Sequence, residues 1–160
     1  MKRLLILTAL VVLSGCGDLS NSESRPTYNS LKASLSDSLE KWHALGVADY
    51  SYRLEKNCFC DLTDYLITVH GGQITEVVSN PEADDPKTVA ADSDDDILTI
   101  DELFAQTIAW ANRRPDELEV TIDPTYFIVT RAFIDHREGT ADDEVGVTVS
   151  GFKEETGDKK

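Results

Sequence analysis

The sequence predicts an α+β fold, an antiparallel sheet of about six strands with two helices packed on one face. Two segments space their apolar residues for a helix, each is followed by three segments that alternate as strands do, and the strands are joined by hairpins or short links. Parallel pairing would need longer crossovers. The chain has 160 residues, 41% of them hydrophobic, which suits one domain. Its 15 basic and 30 acidic residues give a net charge of -15, and the basic ones form no cluster longer than Arg113-Arg114. A phosphate backbone would be repelled, so nucleic acid is excluded as a partner.

Lys2 and Arg3, an apolar run from Leu4 to Leu13 and the ending Leu13-Ser14-Gly15-Cys16 have the three-part layout of an export signal, and the run is too short to span a bilayer. The ending resembles the lipobox of bacterial lipoproteins, in which the cysteine takes a diacylglyceryl group, cleavage follows before it and the new amino group is acylated. The resemblance implies a signal peptide over 1–15, lipidation at Cys16 and a membrane held through acyl chains. Asp18 stands one position beyond the aspartate that resembles an inner-membrane retention signal, so the expected address is the outer membrane, facing the periplasm. Residues 16–29, rich in Ser and Asn, read as a flexible tether, 30–153 as the α+β domain and 154–160 as a polar tail.

From Ser30 to Leu45, the residues Leu31, Leu35, Leu39, Trp42 and Leu45 line one face of a helix, and Gly46 supplies a left-handed stop. Tyr50, Tyr52 and Leu54 then alternate with polar residues as a half-buried strand. Tyr65 to His70 and Gln73 to Ser79 flank Gly71-Gly72, the composition of a tight hairpin. Asn80 to Asp96, acidic and poor in apolar residues, reads as a solvated loop. Thr99-Ile100-Asp101-Glu102 fits a capping box with Leu98 and Leu103 as a hydrophobic staple, Leu103, Phe104, Thr107, Ile108 and Ala111 form a buried stripe, and Pro115 ends the helix. Three strand patterns follow: Leu118-Val120-Ile122, Phe127 to Asp135, and Val145-Val147-Val149. Five apolar pairs, Leu35 with Leu103 through Leu54 with Ile122, share one offset of 68 residues. The halves are either diverged α-β-β-β tandem repeats or a coincidence of two amphipathic patterns.

Once the lipid consumes Cys16, Cys58 and Cys60 are the remaining thiols. They read as a structural disulfide or inert thiols, as a soft-metal site, or as a redox pair, and the disulfide requires the chain to bend there. His43, His70 and His136 have no metal spacing. The carboxylates of Asp92 to Asp96 alternate as in a calcium loop, but Ile97 replaces the turn glycine and Glu102 falls one residue early, so the segment fails as an EF-hand. No Gly-x-Ser-x-Gly, His-Glu-x-x-His, phosphate loop or dinucleotide glycine pattern is present. No catalytic residue, metal ligand or cofactor is assigned. The expected function is a non-catalytic binding module for an envelope protein or small ligand, with a metal or thiol-redox role for Cys58-x-Cys60 as the alternative. Tyr50, Tyr52 and Phe59 are the candidate binding aromatics, the two tyrosines being core residues unless their face is left uncovered.

A series of short motifs runs Trp42, Tyr50-Ser51-Tyr52, Cys58-Phe59-Cys60, Val69-His70-Gly71-Gly72-Gln73-Ile74, Ile100-Asp101-Glu102-Leu103-Phe104, Asp123-Pro124-Thr125-Tyr126, Asp135 and Asp142-Asp143-Glu144. In that order, over about residues 40 to 153, they resemble the domain of unknown function 6174 family of small, mostly secreted bacterial proteins and lipoproteins. The resemblance implies fold and location and brings no activity. Where the family has a Gly-Tyr-Pro turn, this chain has Phe127-Ile128-Val129, which implies a straighter approach to the next strand. Labelling of the producing bacterium with palmitate is expected to mark the chain and to spare a Cys16→Ser variant; label retained on the variant contradicts the lipobox reading.

Overall fold

The computed structural model describes residues 27–58, 62–93, 96–137, 139–140 and 142–155. The signal peptide, Cys16, the tether up to residue 26, Phe59 and Cys60 lie outside the described residues. The order of elements is α1 (Tyr28–Leu45), β1 (Tyr50–Cys58), β2 (Leu62–His70), β3 (Gln73–Ser79), β4 (Lys87–Val89), α2 (Ile100–Arg113), β5 (Glu117–Ile122), β6 (Val129–Asp135) and β7 (Glu144–Glu154). They build an α+β structure with one seven-stranded sheet in the order β4-β3-β2-β1-β7-β6-β5, every neighbouring pair antiparallel.

Two boundaries differ from the sequence reading. Thr27 caps α1, its side chain accepting from the Ser30 amide, so Tyr28 and Asn29 form the first helical turn rather than the end of a tether. The strand that sequence reasoning left out is β4: Lys87 to Val89 sit inside the expected acidic loop and pair with Val77 to Ser79. Three residues are too few to show a period, so pairing with an existing edge, rather than pattern, defines this strand. The Gly71-Gly72 turn has both residues at positive φ, 58° and 76°, as the hairpin demands.

The capping box is formed: the Glu102 amide donates to Thr99 Oγ1 at 3.2 Å and the Thr99 amide donates to Glu102 Oε2 at 2.7 Å. Ile100, Leu103, Phe104, Thr107, Trp110 and Ala111 are the buried residues of α2, and Arg114 closes it in the left-handed region ahead of Pro115. On α1, Leu35 and Trp42 are buried, while Leu45 at the end of the expected stripe is largely exposed.

One side of the sheet holds the core. Tyr50, Tyr52 and Leu54 on β1 face Val69, Ile67 and Tyr65 on β2, and the same layer continues through Val147 and Val149 of β7 to Ala132 and Ile134 of β6. Leu35 and Trp42 of α1 and the buried stripe of α2 belong to this same core, so both helices cover one face. A bulge completes it. Two residues of β7, Gly151 and Phe152, stand opposite Tyr52 alone, and Gly151 takes φ 61°. The extra residue reverses the alternation, bringing Phe152 onto the core side, where its ring stacks on Tyr50 at 5.6 Å and meets Tyr126 at 4.6 Å.

The halves are not a structural repeat. β1 is central and its meander runs outward through β2 and β3, whereas β5 is an edge strand whose meander runs inward through β6 to β7. With both helices on one face and β5 antiparallel to β1, the two meanders have opposite hand, and no rotation superposes them. The shared offset is a coincidence of two amphipathic helices, each followed by a half-buried strand.

The approach to β6 is also a tight turn rather than a straight one. The Asp123 carboxylate accepts from the amides of Thr125 and Tyr126, at 2.8 and 2.7 Å, and Phe127 is held at φ 61° with Lys41 Nζ 5.5 Å from its ring. In urea unfolding, Gly151→Val is expected to lower stability by about 1–2 kcal/mol, because a branched side chain resists the left-handed region. Thr99→Ala is expected to lower it by about 1 kcal/mol through the lost cap.

Candidate functional site

Among the described residues no helix covers the second face of the sheet, and the residues on it are set by the alternate phase of each strand. Across β1, β7 and β6 the register places Glu55 beside Thr148 and Thr148 beside Arg131. The next row is Leu62, Asn57, Gly146 and Phe133. Gly146 matters for what it lacks. A Cβ there would lie 3.7 Å from the Asn57 carbonyl and 3.9 Å from Phe133 Cδ2, so its absence opens a trough between neighbours already in place. The resulting cavity, about 770 Å³, is bordered by Cys58 at the end of β1 and by Glu144 at the start of β7.

Two arginines share this face and differ in how they are held. Arg53 donates from Nε and Nη2 to both Asp64 oxygens at 2.8 and 2.9 Å, and from Nη1 to Glu82 at 2.5 Å. The Asp64 hydrogen bonds keep its guanidinium charged well beyond the ordinary arginine range. Arg53 therefore fastens β1 to β2 and to the segment after β3. Arg131 is exposed and makes no ion pair among the described residues. Leu62 is 72% exposed, an unusual position for a leucine on a strand, and Phe133 is half-buried. Together these groups offer a cation, an aromatic wall, an aliphatic wall, and the amide of Asn57 and hydroxyl of Thr148 as polar partners. Such a surface can hold an apolar group whose polar end meets Arg131, with the carboxylates of Glu55 and Glu144 also lining the space. Among the described residues its lining includes no serine, histidine or lysine.

The residues singled out from sequence fall elsewhere or at the rim. Tyr50 and Tyr52 are 2% and 0% exposed, so neither forms a binding surface. Both instead position α2: Tyr52 donates its hydroxyl hydrogen to the Leu98 carbonyl, and the Ile100 amide donates to the Tyr50 oxygen at 3.3 Å. Burial is the main reason that the Tyr50 phenol is pushed up to about 12 and that of Tyr52 well above its ordinary value. Cys58 reaches the trough's border, while its expected partner Cys60 and the candidate aromatic Phe59 lie outside the described residues.

Two of the histidines have acidic neighbours on different parts of the fold. His43 contacts Asp101, which also accepts from Trp42 Nε1 at 3.2 Å, and His70 lies 3.5 Å from Asp49. No group of three His, Cys, Asp or Glu side chains suited to a metal ion gathers among the described residues. The metal alternative for Cys58 therefore gains no further ligand from them.

Arg131, Phe133, Gly146 and Leu62 were missed by sequence reasoning. A signal was present: Ala132-Phe133-Ile134 and Val145-Gly146-Val147 put an aromatic and a glycine at the phase that a one-sided strand reserves for polar residues.

Fold and face together define a class: a one-sided antiparallel sheet backed by two helices, with a trough on its uncovered side. The chain belongs to the Family of unknown function (DUF6174), which matches residues 34–154. That span runs from within α1 to the end of β7, so trough and core both lie inside it. No curated protein matches the chain.

The tyrosines yield a pH prediction with a definite sign. Their folded-state values lie above the unfolded value near 10, so their contribution to stability is full below that pH and is lost as pH rises towards 12 and beyond. Absorbance at 295 nm is expected to show these phenols ionising late, together with unfolding. Complete tyrosine ionisation near pH 10 in a folded chain would contradict this burial.

Proposed function

We propose that the chain is a non-catalytic binding module of the bacterial cell envelope, held to the membrane by acyl chains on Cys16, with the trough on the open sheet face as its ligand site. The observation that carries the binding role is the conjunction of Arg131, which is not engaged in an ion pair among the described residues, with the glycine-floored space between Phe133 and Leu62. Among the described residues Arg131 is the one cation in the lining and can meet the anionic group of a ligand with an apolar body, while the carboxylates of Glu55 and Glu144 restrict that group to the Arg131 end of the trough. The lipobox-like ending at Cys16 supports the anchor, and the structure has no helix long and apolar enough to cross a membrane among the described residues.

Cys58 and Cys60 form a structural disulfide in this reading. Its role is to hold the end of β1, where Cys58 borders the trough. The oxidising compartment that the lipobox-like ending implies supports a disulfide over free thiols.

Anilinonaphthalene sulfonate, an anionic apolar dye, is a suitable probe for the soluble domain, residues 26 to 160. Saturable fluorescence is expected at one site. Arg131→Glu should weaken it about tenfold or more, as expected when an attractive charge is made repulsive, and Gly146→Leu should abolish it by filling the floor. Dye binding unchanged in both variants would overturn the assignment of the trough.

A further inference from the structure

The two edges of the sheet are built differently. β4 ends one side with three residues and carries Lys87, a poor template for further pairing. β5 ends the other with six residues and, among the strands of the described residues, neighbours β6. In a strand bonded on one side, alternate residues turn their N–H and C=O groups away from the partner. Along that outer side runs a groove of about 360 Å³, lined by the consecutive residues Asp116 to Thr121 and, from α1, by Tyr28 and Leu31. Leu118 and Val120 are half-buried and pack towards the core with Leu31, whereas Glu119 and Thr121 are exposed on the open-face phase.

We propose that β5 is a docking edge for an extended partner segment of alternating basic and apolar residues, which joins the seven-stranded sheet as a further strand. The backbone dictates the extended form, since only a strand can satisfy a row of outward amides and carbonyls together. The groove dictates the alternation: apolar side chains of the partner meet Leu31, Leu118 and Val120, and the intervening ones emerge beside Glu119. Charge dictates their sign. Glu119 faces them, Asp135 and Glu144 outnumber Arg131 on the same side of the sheet, and the whole chain carries -15. A second copy fits less well, because β5 against β5 opposes Glu119 to the acidic edge of its mate and adds two strongly negative bodies together. This edge adjoins the trough, since Glu119 and Thr121 pair with Phe133 and Arg131, but its groove is lined by other residues.

The test uses the full chain in nonionic detergent and a fluorescein-labelled, capped peptide of three Lys-Val repeats, read by anisotropy. The peptide is expected to bind, its three Glu-Val counterpart is not, and Glu119→Lys should weaken binding about tenfold or more, as for reversal of a facing charge. Glu119 is exposed, so the variant keeps its fold. Peptides N-methylated at alternate residues leave the protein untouched and report the ladder: one phase is expected to lose binding and the other to retain it. Equal binding of both phases, indifference to Glu119→Lys, no binding at all, or dimerisation through β5 that excludes the peptide would each overturn the proposal.

Discussion

The structure depends on the alternation of β1. This strand pairs with β2 on one side and β7 on the other, and among the described residues it is where the first and second parts of the chain are joined in the sheet. Tyr50, Tyr52 and Leu54 go to the helices, while Arg53, Glu55 and Asn57 go to the open face. A one-residue slip would exchange the two sets, burying an arginine and a glutamate and exposing two large aromatics. The buried set does more than fill space. Through their hydroxyls the two tyrosines hold the entry to α2, so the same side chains define the sheet's core face and place the helix upon it.

Around that strand the two halves of the chain reach the same architecture by different routes. One meander leaves the centre and ends in the short β4; the other begins at the edge with β5 and arrives at the centre as β7. The consequence is a sheet with unlike margins and a single seam, β1 against β7, where the bulge at Gly151 corrects the phase so that Phe152 joins the aromatic cluster of Trp42, Tyr50 and Tyr126. The seam also lies under the trough. Gly146, which opens it, pairs with Asn57 across the same two strands.

Much of this was legible in the sequence because it was written as pattern. The Leu31 to Trp42 spacing, the Thr99-x-x-Glu102 box, the paired glycines at 71 and 72 and the Tyr50 to Leu54 alternation each reflect a local rule, and each produced the element expected. Antiparallel pairing and helices on one face followed from short connections. What escaped depends on pairing over distance. β4 is a strand only because β3 lies beside it, and the opposite hand of the two meanders cannot be seen in offsets between apolar residues. Phe127 was expected to lead straight into β6, yet Asp123 and Lys41 hold it in a turn that its side chain alone would not favour. The site was less legible still. Sequence reasoning looked for chemistry in aromatics and cysteines, while the trough is made by an absent side chain at Gly146 and by an arginine whose distinction is the contrast with Arg53.

The central claim is that the helices seal one face of the sheet and leave the other as the surface that meets a ligand. The most direct measurement is an amide chemical-shift titration of the isotope-labelled domain with the anionic apolar dye. The account predicts shifts that saturate together and cluster on Asn57, Arg131, Phe133, Gly146 and Thr148, with the amides of α1 and α2 unmoved. Shifts centred on the helices, or scattered without saturation, would contradict it.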